Sequence, residues 1–195
     1  MPTTIIPKKT DQSILDVAQR LIQTRGYNGF SYKDVAAALG IRTASIHYHF
    51  ATKADLGVAL ASRHRRNFQE ELERISGETD DPMRRLEQFT DLFRSTFAVE
   101  SRLCLCGMLS AEIATLPEPV AAEVENFFRD TERWLSGVLT AGKKAKSLRF
   151  IVTPRKQARL LLSVLEGAMV VARGMRDSAG FNGIAAGYLK NFKPF

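Results

Sequence analysis

Two helix-start signatures stand close together in the chain: Ser31 with Asp34 three residues on, and Thr52 with Asp55 three residues on. In each, a hydroxyl at the cap and an acidic side chain one turn later can satisfy each other's backbone N–H groups. Between them lies Gly40, the residue type that ends helices in left-handed backbone. The span from Ser31 to Thr52 therefore has room for one short helix, a tight turn and a second short helix, and little else.

The second short helix is predicted over Thr43 to Phe50, "TASIHYHF". Residues three and four apart share a helix face, so Ile46 and Phe50 point together toward a core of Val17, Leu21, Phe30, Val35, Leu39 and Ile41. Ala44, Ser45 and Tyr48 face the other way, with Thr43 and His47 on one flank and Arg42 and His49 on the other. Two helices joined by a tight glycine turn make a helix-turn-helix. The second helix of such a pair enters the DNA major groove by its N-terminal residues. Small side chains there admit base edges, while hydroxyls, imidazoles and cations around them reach phosphates.

Charge agrees. Up to Lys53 the chain carries seven basic residues (Lys8, Lys9, Arg20, Arg25, Lys33, Arg42, Lys53) against three acidic ones (Asp11, Asp16, Asp34). That excess is over half of the net +7 in under a third of the 195 residues, and it favours release of counterions from a nucleic acid.

The remainder is patterned with helical period, and no alternating strand run or hairpin signal interrupts it. Residues 1–9 read as an arm, and a first helix runs from Thr10 or Asp11 to Arg25. A helix from Thr52 to about Ile75 follows the paired short helices, then a polar break, "SGETDDP". Further helices are expected over Met83–Val99, Leu103–Leu116, Val120–Lys144 and Pro154–Asp177, with a last one in "SAGFNGIAAGYLKNF". "AKSLRFIVT" carries no clear pattern. The fold class is all-α, with a DNA-binding domain over residues 1–53 and a larger helical domain over 54–195.

"TRGYNGFSYKDVA", "ALGIRTASIHYHF" and the following "TKADL" together resemble the N-terminal domain of TetR/AcrR-type transcriptional regulators, over nearly all of residues 11 to 60. The resemblance implies that the third helix is the recognition helix. Thr43 and Ala44 correspond to base-approaching positions, and His47, Tyr48, His49 and Lys53 to phosphate-contacting ones. Ser31 and Lys33 match further contacts, with Arg42 and Ser45 added from the same face. His47 departs from the family's usual tyrosine, which makes that contact pH-sensitive. The resemblance also implies a helical effector-binding and dimerisation domain. The expected protein is a homodimeric repressor that leaves a palindromic double-stranded operator when a small apolar or aromatic effector binds.

Aromatic and methionine residues at helical spacing supply candidates for the effector pocket: Phe89, Phe93, Phe97, Met108, Phe127, Trp134 and Met169. The same spacing serves an ordinary packed core. Small residues Gly167, Ala168, Gly183, Ala186 and Gly187 let the last two helices approach their mates closely, and the resemblance makes these helices the dimer interface. "RLCLCGMLSAEIATLPEP" resembles a segment found in family members that sense electrophiles or oxidants through a cysteine, Cys104 being the matching position. A thiol switch at Cys104 is the alternative mechanism; buried small hydrophobes are the other account of both cysteines. Glu112 and Glu166 stand in largely apolar helices and are expected to face solvent or pair with an arginine such as Arg173 or Arg176. His64 is expected to be a solvated helix residue.

Other chemistries find less support. His47 and His49 diverge on a helix and have no cysteine or acidic cluster near them in sequence, so no metal is expected. Ser45 and His49 share helical spacing, but nothing orients the imidazole as a catalytic base. No phosphate-binding loop or cofactor motif appears. The N-terminus has no signal-peptide run, and the richest apolar stretch, Leu160–Ala172, is broken by Glu166 and is shorter than the roughly 20 residues of a membrane helix. A cytoplasmic protein with no membrane partner is expected.

Overall fold

The computed structural model describes residues 10–177 and 179–192; the expected arm lies outside them. Nine α-helices follow in order: α1 Thr10–Arg25, α2 Tyr32–Leu39, α3 Thr43–His49, α4 Lys53–Glu78, α5 Pro82–Ala98, α6 Leu105–Ala111, α7 Glu118–Lys144, α8 Pro154–Gly174 and α9 Gly180–Leu189. The described residues contain no strand, as an all-helical pattern requires.

Local chemistry starts and stops the first four. Ile14, Val17, Ala18 and Ile22 recur on one buried face of α1. Fully burying an aliphatic side chain such as Ile14 or Ile22 stabilises by roughly 1.5–3 kcal/mol. Gly26 then turns the chain at φ +85°, and a Cβ there would collide with the Glu112 carboxylate. At α2, Ser31 N–H and Oγ both donate to Asp34 Oδ2, at 2.7 and 2.6 Å. Gly40 ends α2 in left-handed backbone, φ +65°. Thr52 and Asp55 cap α4 reciprocally.

α4 is shared by both halves of the molecule. Its Arg63 donates to Gln12, Asp16 and Gln19 of α1. Farther along, Phe68 packs against Phe89 and Phe93 of α5 and Phe127 of α7. α7 lies along α4 and α8, and α8 along α9.

Two segments differ from the sequence expectation, and one without a clear pattern is resolved. α4 runs on to Glu78, because its polar end is held by side chains. Trp134 Nε1 donates to Ser76 Oγ at 2.9 Å, and Arg85 Nη2 and Nε donate to the Ser76 and Thr79 carbonyls at 2.8 and 2.6 Å. The helix expected over Leu103–Leu116 is shorter, breaking after Ala111 into a single 3-10 turn, Ile113–Thr115. There Glu112 accepts from Asn28 N and Nδ2 at 2.8 and 2.6 Å. "AKSLRFIVT" is an irregular connection. Lys146 takes φ +56°, Ser147 and Leu148 N–H return to the Gly142 carbonyl, and Arg149 N–H donates to the Phe192 carbonyl at 2.8 Å.

Candidate nucleic-acid interface and effector cavity

α3 is held from beneath and bare above. Ile46 is fully buried and Phe50 packs at the core margin. Tyr32 of α2 pins the end of α3, its hydroxyl within 3.0 Å of the Phe50 carbonyl and 2.6 Å of that of Thr52. Burial pushes the Tyr32 phenol up to about 12, so it stays a donor at all physiological pH. On the outer side Arg42, Ala44, Ser45, His47, Tyr48 and His49 are exposed, Tyr48 to 87%. An aromatic ring left that open on a pinned helix is available to a partner. Thr43 is half-buried, and Lys33 stands exposed on α2.

Individual side chains are prepared differently. The His47 ring lies edge-on to Tyr32 with centroids 4.7 Å apart, and its Nδ1 donates to the Ala51 carbonyl at 3.0 Å. Since a carbonyl can only accept, Nε2 donates to a phosphate only when the ring is doubly protonated. Tyr48 and His49 meet edge to face. Ser31 is exposed, with its hydroxyl donated to Asp34; these bonds, then Arg25, hold the Asp34 carboxyl below its usual range. Lys53 turns inward: Nζ donates to the Phe30 carbonyl at 2.6 Å and lies over the Tyr27 and Phe30 rings. Desolvation lowers its pKa. Lys53 thus braces the turn before α2 from the start of α4.

A cavity of about 660 Å³ opens between α4 and α5, and Cys104 and Met169 also line it. Of the seven pocket candidates, Phe93 and Met169 line it. Phe89, Phe97 and Phe127 are core residues. Trp134 stacks on Phe89 and Met108 packs at the core margin. Phe93 and Met169 are buried as well, so the cavity borders the core, and a period alone cannot tell which core residues reach it. A groove of about 870 Å³ beside α7 and α8 carries opposed charges, Glu132 with Arg155 and Arg159 and Glu125 with Arg129.

Sequence reasoning missed His64, Phe68 and Gln88 in the cavity wall. His64 is not solvated: it lies against Phe68 and Phe127, and its enclosed Nε2 has no protein hydrogen-bond partner. Burial first, then Arg63, lowers its pKa to about 4, so it is neutral at pH 7. The signal was its spacing, four residues after Leu60 and eight before Leu72, both buried. Glu166 is also a correction. It is enclosed, its Oε1 has no hydrogen-bond partner in the protein, and burial pushes its carboxyl up to about 7. Glu112 pairs with Asn28 rather than an arginine. Both cysteines are buried, and desolvation followed by the Glu166 charge pushes both thiols well up. Among the described residues no group of three or more His, Cys, Asp or Glu side chains is placed to hold a metal, and no helix is long and apolar enough to cross a membrane.

Comparison with known proteins decides the family. Residues 14–60 match the family described as "Bacterial regulatory proteins, tetR family", and residues 82–186 match "Tetracyclin repressor-like, C-terminal domain". The chain belongs to the TetR family. A TetR-family regulator from Agrobacterium tumefaciens superposes with a TM-score of 0.91 at 34% identity, over 94% of this chain and 97% of that one. One from Legionella pneumophila gives 0.88 at 33% identity, over 97% and 100%. The HTH-type transcriptional repressor NemR of Escherichia coli (strain K12) is 26% identical over 172 residues, 86% of each chain. The α2–α3 pair is accordingly a TetR-type helix-turn-helix, and the protein is a DNA-binding transcriptional regulator.

Proposed function

We propose that this TetR-family protein is a repressor that binds a palindromic operator as a homodimer and leaves it when a small, largely apolar effector fills the cavity between α4 and α5. The observation that carries this is the double membership of α4. One end braces the helix-turn-helix through Lys53, and the middle lines the cavity through His64 and Phe68. An effector that prefers one setting of α4 shifts the population of recognition-helix spacings. The functional division falls along α4, near residue 53.

Contacts are assigned by exposure and chemistry. Ala44, with Thr43 beside it, admits base edges; Ser31, Lys33, Arg42, Ser45, His47, Tyr48 and His49 supply phosphate or further base contacts. Lys53 acts through the turn it braces. Dimerisation is assigned to α8 and α9, where Leu160, Val170, Val171 and Ile184 are exposed apolar side chains beside exposed Gly167, Gly183 and Gly187. Such a dimer presents two recognition helices to two half-sites. The protein acts in the cytoplasm, without cofactor or catalysis.

Binding to DNA fragments flanking its own gene, with rising salt and competitor, tests this. One saturable fragment protected over a palindrome is the expected result. Equal, salt-sensitive binding to every fragment would overturn operator recognition and leave only the electrostatic term.

A second reading has one observation in its favour: Cys104 lines the cavity, where an electrophile could reach it. Its raised pKa opposes thiolate chemistry. Cys104→Ser distinguishes the two, since a ligand-gated repressor keeps its response.

A further inference from the structure

The cavity between α4 and α5 has a wall chemistry that narrows what can occupy it. Phe68, Phe93 and Met169 supply apolar surface, and Cys104 contributes a buried, neutral thiol. The charged side chains at its mouth are matched within the protein: Arg74 with Glu71 and Glu78, Arg84 with Glu87, and Asp91 with Arg94. His64 and Gln88 also line the cavity, and His64 Nε2 and Gln88 Oε1 are both enclosed with no hydrogen-bond partner in the protein. Gln88 has its amide nitrogen committed to Glu78 Oε2 at 2.7 Å, so its oxygen is left as a pure acceptor. His64 Nε2 donates or accepts according to tautomer.

A ligand that suits this wall needs an aromatic or polycyclic body for the phenylalanines. It also needs one group able to donate to an amide oxygen and to exchange a hydrogen bond with an imidazole. A hydroxyl does both. A carboxylate or phosphate offers Gln88 Oε1 no donor and brings a charge that no unpaired cation in the wall meets, so burying it is strongly unfavourable. An ammonium finds the acidic groups of the mouth already paired. We infer that the effector is an uncharged hydroxyarene, held through its hydroxyl by His64 and Gln88 and by its rings against Phe68 and Phe93.

The inference rests on the reading of this cavity as the effector site. His64 carries the larger part. Its ring lies within 5.3 and 6.1 Å of the Phe127 and Phe68 centroids, so neighbouring rings fix its orientation before any ligand arrives. Preorganised polar groups in an apolar wall discriminate strongly against analogues that cannot pair with them, because those groups then stay unpaired in the complex.

The test uses the full-length protein with naphthol, phenanthrol and hydroxypyrene, each beside its methyl ether and its carboxylate counterpart. Binding is followed by ligand fluorescence and calorimetry at pH 7, and operator occupancy is measured in parallel. The alcohols are expected to bind at least ~10-fold more tightly than the ethers and the carboxylates. His64→Phe and Gln88→Leu are each expected to erase most of the alcohol-over-ether preference and to leave the ether affinity in place. The wild-type alcohol-to-ether ratio needs no variant and stands even if a variant fails to fold. Carboxylates that bind as tightly as the alcohols and release DNA would overturn the hydroxyarene assignment and keep the effector site. Alcohols that bind with the expected preference but leave the operator occupied would keep the assignment and overturn the effector reading. Binding by none of the compounds would overturn both.

Discussion

Arg173 of α8 donates from Nη2 to the carbonyl of Thr24 at 2.7 Å and from Nη1 to that of Gln23 at 3.2 Å. Those carbonyls belong to the last turn of α1, where no intrahelical N–H is left to meet them. A guanidinium from the effector domain therefore caps a helix of the DNA-binding domain. Beside it, Gln23 Nε2 donates to the Leu103 carbonyl at 3.0 Å, one residue before Cys104. The cavity wall and the end of α1 are thus joined through a small set of polar contacts.

Arg173→Ala removes this cap. Stability is expected to fall by about 1 kcal/mol, the lower end of the range for leaving acceptors unmet, because these carbonyls are only part-buried. Effector affinity is expected to hold within about twofold, the cavity wall being untouched, while the loss of operator affinity on effector binding shrinks. Calorimetry for the ligand and fluorescence anisotropy for the DNA check this. Full retention of the DNA response would show that coupling passes elsewhere, along α4 alone.

Ala44→Leu tests base approach on α3. Ala44 is exposed, so folding stability is expected to change by no more than about 0.5 kcal/mol. Operator affinity is expected to collapse toward the non-specific level while the salt dependence stays, because phosphate contacts remain. Lys33→Ala is the counterpart. It should weaken binding to all sequences alike and reduce the salt slope by about one. Footprinting and salt titrations distinguish the two patterns, and a leucine at position 44 that keeps the footprint would remove Ala44 from the base-reading set.

Glu166 and His64 pull the pH dependence of stability in opposite directions. Burial raises Glu166 from 4.5 to about 7. Between those values the folded chain holds a proton that the unfolded chain has released, so raising the pH lowers stability, by about 3 kcal/mol over the whole window. His64 is lowered from 6.5 to about 4. There the unfolded chain binds the extra proton, so raising the pH from about 4 to 6.5 increases stability by a similar amount. The two slopes oppose each other across most of that range. Glu166→Gln is therefore expected to leave stability that rises with pH from about 4.5 to 6.5, and His64→Phe stability that falls from about 4.5 to 7. Urea denaturation across that range measures both. Two variant profiles of the same shape as wild type would refute the assignments.

The amino-acid sequence by itself determined what depends on neighbours within a turn or two. The caps at Ser31 and Thr52, the left-handed Gly40 and the buried stripe of α1 define the helix-turn-helix, since hydrogen bonds three or four residues apart and a repeating apolar face are written into the order of residues. Tertiary structure decided what depends on distant partners. Asn28 lies 84 positions from Glu112 and shapes the break after α6; Arg173 lies 149 from Thr24. Lys53 is a phosphate-contacting position by resemblance, and only the fold shows it turned toward the Phe30 carbonyl as a strut. Phe89 and Phe93 share a helix face and are both buried, yet only Phe93 borders the cavity. Helical period says only that a side chain faces inward. Whether it meets a packed neighbour or a space depends on the helix opposite, and at His64 and Glu166 that difference sets the charge as well.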